Sequence, residues 1–223
     1  RRLISADYSG CELRIVADLS GDEAFRSALL AEDFHAAVAT RLFGETVSKT
    51  ERADLRQAAK GINFGLMYGM GVKRLGLSIG CSADEARRLL ERYFEGFPAL
   101  AAWREWAQGA PARDGFLHTR LGRRLALEKG SNPGTLALNY PVQGGGADLI
   151  KRAAVRVHRM LASRPGNGVL INMVHDELLI ETDAAEAEAL AQAVADEMVT
   201  AGAELFPSVP MAVEASVASR WEH

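Results

Sequence analysis

Short apolar runs alternate along the chain with longer segments in which apolar residues recur at helical spacing. The runs Leu3 to Ala6, Val169 to Val174, Leu178 to Glu181 and MAVEASVA from Met211 predict strands. The helical spacing predicts helices over residues 11–20, 24–31, 33–43, 50–69, 82–94, 98–107, 147–162 and 184–201. This mixture predicts an α+β fold that is helix-rich and has a small antiparallel sheet.

Three local signals sharpen this outline. Ser82 and Glu85 have the spacing of a capping box at a helix start. GFLHTRLGRRLALE predicts a β-hairpin that turns near Leu121-Gly122. The glycines of QGGGAD, which we expect to precede the helix at 147–162, either cradle a phosphate or permit close packing, and we favour packing.

Composition excludes several classes of protein. The 223 residues are 48% hydrophobic, enough for a substantial core. With 26 basic against 29 acidic residues, nucleic-acid binding requires a local patch. Two cysteines without metal-ligand spacing favour a reduced, cytosolic protein, and no apolar run approaches a membrane span. Because RRLISADYSG begins almost directly in a strand signal, we expect the chain to come from something longer.

Three ionisable residues stand in a row between two apolar strands. His175, Asp176 and Glu177 would form the tip of a tight hairpin, where Asn-Gly or Asp-Gly would suit the backbone better. A residue that fits its turn poorly is a functional candidate. The alternative is that the acids only solvate an exposed hairpin end.

A second acid occurs in a similar setting. Asp7 ends the first predicted strand, and if both strands share a sheet it can face Asp176. Two carboxylates so close repel each other unless a cation lies between them, and hard oxygen ligands suit Mg²⁺. A pair of such ions would clamp the oxygens of a phosphoryl transfer. The alternative for Asp7 alone is the N-cap of the next helix.

The helix predicted at 50–69 carries a stripe of cations followed by aromatics. Arg56, Lys60, Phe64 and Tyr68 recur every four residues, so they lie on one slowly winding face. The cations suit a polyphosphate and the aromatics can stack on a base. The alternative is an amphipathic helix with a solvated basic end. Gly61 and Gly65 lower helix propensity, so we expect something bulky to approach that face.

Three separated stretches resemble the motifs of the family A DNA polymerases. DYSGCELRIVADLSGDE is similar to motif A, RQAAKGINFGLMYG to motif B and VHDELLIE to motif C. They occur in the family's order, and DFHAAVATRLFG, GRRL and LNYPVQGGGADLIKRA between them also fit.

The resemblance implies a right-hand polymerase fold, in which a small antiparallel palm sheet carries an inserted helical fingers subdomain. Residues 1–44 would be palm around motif A, 45–115 mainly fingers, and 116–223 palm with motif C. The thumb would be absent, so we expect an upstream thumb segment in a longer chain or a separate subunit. Primer–template binding by this chain alone would be weak, because phosphate contacts dominate affinity.

The resemblance also implies catalytic roles. Asp7 and Asp176, with the carbonyl of Tyr8, would hold two Mg²⁺ ions for template-directed addition of deoxynucleoside triphosphates to a primer 3′-hydroxyl. Glu177 would be an accessory acid near the metals. His175 would lie close to the primer end.

Further residues would bind the substrates. Lys60 and Arg56 would bind the triphosphate, with His35 helping at the phosphates. Phe64 would pack near the deoxyribose, Tyr68 would lie beside the templating pair, and Glu12 would exclude the ribose 2′-hydroxyl. The residues implied to contact primer–template DNA are Gln143 and Asn139 in the minor groove and Arg123 and Arg124 at phosphates.

Several residues depart from the family pattern. Gly10 stands where the family has Gln, which removes a polar contact near the sugar, and Cys11 replaces the common Ile. Thr135 stands where Arg is usual, which weakens one nucleic-acid contact, and Gly61 is unusual within motif B.

Three alternatives to a DNA polymerase remain. A phage-type RNA polymerase shares the palm chemistry, but Glu12 and Phe64 oppose it because that enzyme must admit the 2′-hydroxyl. A non-catalytic nucleic-acid-binding fragment would bind DNA without turnover. An HD-type phosphohydrolase is suggested only by His175-Asp176, and that superfamily carries the pair on helices. A polymerase would be cytoplasmic and associated with the nucleoid.

Overall fold

A computed structural model describes residues 1–67, 69–128, 132–164 and 166–221, without the side chains of Phe64, Leu66 and Met67. Within these ranges the chain forms nine helices and six strands. The helices are α1 (Cys11–Ser20), α2 (Glu23–Leu29), α3 (Phe34–Phe43), α4 (Ala53–Met67), α5 (Val72–Ile79), α6 (Ala83–Gly96), α7 (Pro98–Asp114), α8 (Pro133–Ser163) and α9 (Ala187–Leu205). The strands are β1 (Arg2–Ser9), β2 (Phe116–His118), β3 (Arg124–Ala126), β4 (Val169–Val174), β5 (Glu177–Thr182) and β6 (Ala212–Ala218). The predicted helix-rich α+β fold is confirmed.

The chain divides into two compact units. Unit 1 comprises Arg1–Ile15 and Gln143–His223, and unit 2 comprises Val16–Val142. The boundaries therefore fall inside α1 and α8. The division into palm and fingers by residue range stays a prediction. Among the described residues, no helix combines the length and apolar character that crossing a bilayer requires.

Unit 1 is built on a four-stranded antiparallel sheet with the order β4-β5-β1-β6. Strand alternation gives β1 one buried face, formed by Ile4, Ala6 and Tyr8. The Tyr8 hydroxyl donates to the carbonyl of Met198 in α9 at 2.6 Å, so α9 lies against this face. Ser5 and Asp7 therefore project from the opposite face.

Unit 2 is mainly helical, and one buried carboxylate caps two of its helices. Asp22 accepts from the Phe25 amide at the start of α2 and, through its other oxygen, from the Ala99 and Leu100 amides at the start of α7. These amides have no partner within their helices, so Asp22 satisfies both termini. The ring of Phe25 packs edge-on against that of Phe97 at 5.4 Å.

Two of the three local signals are confirmed. Ser82 and Glu85 form the capping box of α6, with both reciprocal hydrogen bonds. The β2–β3 hairpin turns at Gly122, which has a left-handed φ of 81°. The helix predicted at 98–107 extends further, through Pro111 to Asp114.

The glycines of QGGGAD do not precede a helix, as the sequence predicted, but lie inside one. Helix α8 starts at Pro133 and continues through all three glycines. A Cβ at Gly145 would lie 3.2 Å from the Phe206 ring and 3.5 Å from Ile15. Close packing thus outweighs the low helix propensity of glycine, which supports the packing interpretation.

Candidate active site

The turn between β4 and β5 brings an aspartate to the end of β1. His175 and Asp176 alone form this turn, and His175 has a left-handed φ of 52°. The Tyr8 amide donates to the Asp176 carbonyl at 3.3 Å, which anchors the turn to β1. Asp7 lies within β1 rather than at its end, which rules out the N-cap alternative. The expected meeting of Asp7 and Asp176 is confirmed.

The carboxyl of Asp7 is held in an unfavourable electrostatic environment. Partial burial, then the negative charge and hydrogen bonding of Asp176, and then the charge of Glu177, raise the pKa of Asp7 to about 6. Burial and like charge both disfavour the ionised form. Asp7 nevertheless belongs to the exposed residues, so solvent and cations can reach it.

Glu177 is not at the hairpin tip, as the sequence predicted. It is the first residue of β5, 6% exposed, and lies opposite Asp7 in the register. Its Oε1 accepts from the hydroxyl of Ser5 and from the indole of Trp221 at 3.3 Å. Its Oε2 is buried and makes no hydrogen bond within the part of the chain that the structure describes. Glu177 is therefore a buried neighbour of the aspartate pair.

A further acid flanks the pair and was missed in the sequence. Glu214 of β6 lies opposite Asp7 in the register, so Asp7 has an acid on each neighbouring strand. Like charges directly across a sheet destabilise it. In the described ranges, no group of three or more His, Cys, Asp or Glu side chains is arranged to hold a metal ion. Any ion held here would therefore keep water ligands, as Mg²⁺ commonly does.

Two residues with separately predicted roles are bonded to each other. The amide of Gln143 on α8 donates to Oε1 of Glu12 on α1 at 2.6 Å. Sequence reasoning assigned Glu12 to the sugar and Gln143 to the minor groove. The hydrogen bond fixes the direction of both side chains within unit 1.

The remaining residues predicted to contact DNA lie on separate elements. His175 is exposed at its turn. In unit 2, Arg123 and Arg124 are exposed on the β2–β3 hairpin, with the Arg124 guanidinium 4.5 Å from the centre of the Phe116 ring. Asn139 of α8 has a buried side-chain oxygen without a hydrogen bond to any described residue.

The predicted triphosphate residues of unit 2 are collected around the start of α3 and the middle of α4. Arg56 on α4 donates to Asp33 at 2.7 Å, and Asp33 also caps α3. Burial, then the charge of Arg56 and more weakly that of Lys60, lowers the pKa of His35, while Asp33 opposes this effect. The two cations and His35 thus share one electrostatic environment. The Phe64 side chain and all of Tyr68 lie outside the described residues.

The glycines of α4 are explained by a neighbouring helix. A Cβ at Gly61 would clash with Ile79 of α5, and one at Gly65 would lie 3.1 Å from Leu75. The close approach of α5 therefore accounts for these glycines, and a bulky group at the face of Arg56 and Lys60 stays a prediction.

Sequence reasoning also missed the polar residues that support His35. Asn63 and Tyr93 are each 1% exposed and hydrogen bonded to each other, and Asn63 also bonds to the His35 ring. The one signal available was an asparagine in the otherwise apolar stretch GINFGLM.

Comparison with known proteins gives a consistent family. The sequence model of DNA polymerase family A matches residues 1–223. DNA polymerase I of Pseudomonas aeruginosa is 37% identical over 99% of this chain and 25% of its own length. DNA polymerase I of Aquifex aeolicus is 35% identical over 98% of this chain and 39% of its own. The thermostable DNA polymerase I of Thermus aquaticus is 36% identical over 98% of this chain and 27% of its own length.

A solved structure agrees with these relatives. It is the POL domain of Pol1 from M. smegmatis in complex with DNA primer-template and dNTP. Its TM-score is 0.87 and its sequence identity 32%, over 99% of this chain and 40% of that one. The chain thus spans between about a quarter and two fifths of the proteins it matches.

Proposed function

Because the chain belongs to DNA polymerase family A, we propose that it carries out template-directed DNA synthesis. It would add deoxynucleoside triphosphates to a primer 3′-hydroxyl. The observation that carries this proposal is the pair Asp7 and Asp176, because partial burial and then the negative charge of Asp176 raise the pKa of Asp7. A carboxylate pair that is unfavourable without cations is what a metal-dependent phosphoryl transfer requires.

The donor set fits two Mg²⁺ ions. Asp7, Asp176 and the Tyr8 carbonyl supply hard oxygen ligands, and the exposure of Asp7 leaves room for water. Bound magnesium would make the primer hydroxyl more acidic and offset charge on the triphosphate. Glu177, held by Ser5 and Trp221, would be an accessory acid beside Asp7.

The residues of unit 2 would bind the triphosphate. Arg56 is already oriented by Asp33, so little side-chain entropy is lost when it engages a phosphate. Lys60 adds a second cation one turn along α4. His35 would donate a hydrogen bond to a phosphate oxygen. Phe64 and Tyr68 retain their proposed roles at the sugar and the templating pair.

Residues of unit 1 would select the sugar. Glu12 would crowd the 2′ position of an incoming nucleotide, and its hydrogen bond to Gln143 keeps it in one direction. Replacement of Glu12 by Ala is expected to raise ribonucleotide incorporation. Unchanged sugar selectivity would contradict this role.

The proposed partners are primer–template DNA and dNTPs, the ligands of the M. smegmatis complex. His175, Gln143, Asn139, Arg123 and Arg124 would contact the DNA. An upstream thumb segment, in a longer chain or a separate subunit, would supply further phosphate contacts. Such an enzyme would work in the cytoplasm at the nucleoid.

The test is primer extension by this chain, alone and together with the proposed upstream thumb segment, with Mg²⁺ and four dNTPs. We expect extension that disappears in the Asp176→Asn variant and persists in Asp196→Asn, which changes an exposed acid on α9. DNA binding is measured in parallel. Retained DNA binding with no Mg²⁺-dependent extension in either context would refute the proposal and indicate a non-catalytic binding protein.

A further inference from the structure

A buried chain of hydrogen bonds leads from α6 to His35. The hydroxyl of Tyr93 donates to Oδ1 of Asn63 at 2.8 Å. Nδ2 of Asn63 lies 3.1 Å from Nδ1 of His35. Tyr93 and Asn63 are almost fully buried, whereas His35 is half-buried. Polar groups this deeply buried destabilise the fold unless they are hydrogen bonded, so each side chain in this series depends on its partner.

The chain of bonds has a defined direction. The Tyr93 hydroxyl has no other hydrogen-bond partner among the described residues, so its proton must go to Asn63. That proton requires the carbonyl oxygen of Asn63 as acceptor, which turns the NH₂ group of Asn63 towards His35. The opposite amide orientation would leave the buried phenol proton without an acceptor. Such an unsatisfied buried donor lowers the stability of the fold.

The direction decides where the histidine carries its proton. Because the Asn63 NH₂ group donates, Nδ1 of His35 must accept and is unprotonated. A neutral imidazole then carries its proton on Nε2. Burial and the nearby charges of Arg56 and Lys60 lower the pKa of His35 despite Asp33, which agrees with a neutral ring.

We propose that Asn63 and Tyr93 are positioning residues that hold His35 in the Nε2–H form, so that it donates a hydrogen bond to an anionic oxygen of the bound triphosphate. This inference rests on the proposed function. A triphosphate held by Arg56 and Lys60 would meet a donor at His35 rather than a lone pair, and lone pairs repel phosphate oxygens. The ring needs no positive charge for this contact.

The first test is ¹⁵N NMR of the histidine rings in the full chain, with the His35 signals assigned from their loss in His35→Gln. We expect an unprotonated Nδ1 and a protonated Nε2. Asn63→Asp keeps an acceptor for Tyr93 but places an acceptor opposite His35, so Nδ1 should become protonated. Tyr93→Phe should give a mixture of both forms. The control Tyr140→Phe removes the hydroxyl that donates to the Arg123 carbonyl and should leave His35 unchanged.

The second test is titration of the same proteins with inorganic tripolyphosphate. Tyr93→Phe should weaken binding about 2-fold, because a mixture leaves only about half of the protein in the Nε2–H form, while Tyr140→Phe should not. A protonated Nδ1 in the wild-type protein, or an Nδ1 that stays unprotonated in Asn63→Asp, overturns the inference. So does unchanged tripolyphosphate affinity in Tyr93→Phe.

A different result would refute the proposed function, independently of the inference about His35. If tripolyphosphate and dNTPs bind to the wild-type protein no better than to a double variant of Arg56→Ala and Lys60→Ala, the triphosphate site itself is refuted. The NMR result does not depend on that outcome, because it reports the ring without any ligand.

Discussion

The acidic region of unit 1 and the basic region of unit 2 differ in how their charges are balanced. In unit 1, Asp7 lies opposite Glu177 and Glu214, and partial burial followed by the charges of Asp176 and Glu177 raises its pKa. In unit 2, Arg56 is paired with Asp33 at 2.7 Å before any ligand arrives. The proposed function places added cations at the first region and an anion at the second.

The difference indicates what each region contributes. Carboxylates that repel each other bind metal strongly because the metal removes an existing penalty. A cation already oriented by a carboxylate exchanges one anionic partner for another, or shares it, with little reordering. The following predictions test these two statements, beginning with the largest effect.

Loss of the aspartate pair should abolish catalysis. We expect Asp176→Asn to reduce single-turnover extension by roughly 1,000-fold or more, because metal ions contribute several kcal/mol to such a transition state. Asp196→Asn is the matched control and should retain the wild-type rate. A loss of less than 10-fold in Asp176→Asn would show that the acidic region is not where the metals act.

Loss of one cation on α4 should have a smaller effect. Lys60→Ala or Arg56→Ala should lower kcat/KM for dNTP by about 10–100-fold, the range expected for a charge-assisted hydrogen bond. Arg88→Ala, an exposed arginine on α6, is the control and should change kcat/KM little. Equal losses in Arg88→Ala would indicate that only general charge matters in unit 2.

The packing behind the cations should matter for stability. Gly61→Ala gains helix propensity but forces the added methyl against Ile79, a stiff β-branched side chain. Overpacking should outweigh the gain and lower the free energy of unfolding by about 1–2 kcal/mol, measured by urea denaturation. The double variant with Ile79→Ala tests this reason, since the penalty of Gly61→Ala should then disappear. A Gly61→Ala variant as stable as wild type would refute the clash.

The smallest expected effect is a change in stability when the charge of Asp7 is removed from the acidic region. At pH 8 without divalent cations, Asp7→Asn should raise the free energy of unfolding. The shift from 3.8 to about 6 corresponds to roughly 3 kcal/mol, which solvent exposure of Asp7 reduces to about 1 kcal/mol. Mg²⁺ should stabilise the wild type more than the variant.

The pH dependence of this gain follows from the sign of the pKa shift. Because the folded protein binds the Asp7 proton more tightly, ionisation of Asp7 costs stability at pH values above about 6. The advantage of Asp7→Asn should therefore fade as the pH drops from 6 to 3.8. Glu181→Gln, which removes an exposed partner of Arg1, should show no gain at pH 8. Destabilisation by Asp7→Asn at pH 8 would contradict the electrostatic account.

Local patterns were sufficient for several features. The capping box of Ser82 and Glu85, the turn at Gly122 and the spacing of Arg56 and Lys60 depend on residues close in the chain, and the structure has all of them. The strands on either side of His175 were equally readable from apolar runs. Motif order also identified the family.

Features that depend on residues distant in the chain could not be predicted from the sequence. The burial of Glu177 follows from Ser5 and Trp221, 172 and 44 residues away in the chain. The continuity of α8 through its glycines follows from the approach of Ile15 and Phe206. Propensity favours a break there, and long-range packing overrides it.

The sequence by itself determined which residues are candidates for the chemistry: the acids of the stretches that resemble motifs A and C, the cations of the stretch that resembles motif B, and His35. Only the tertiary structure decided their states. Asp7 has a raised pKa because folding partly buries it and because register and turn geometry place Asp176 and Glu177 beside it. The ring nitrogens of His35 have fixed donor and acceptor roles because a buried tyrosine on another helix orients Asn63. Charge and hydrogen bonding act through space at a few ångströms, and only folding sets those distances.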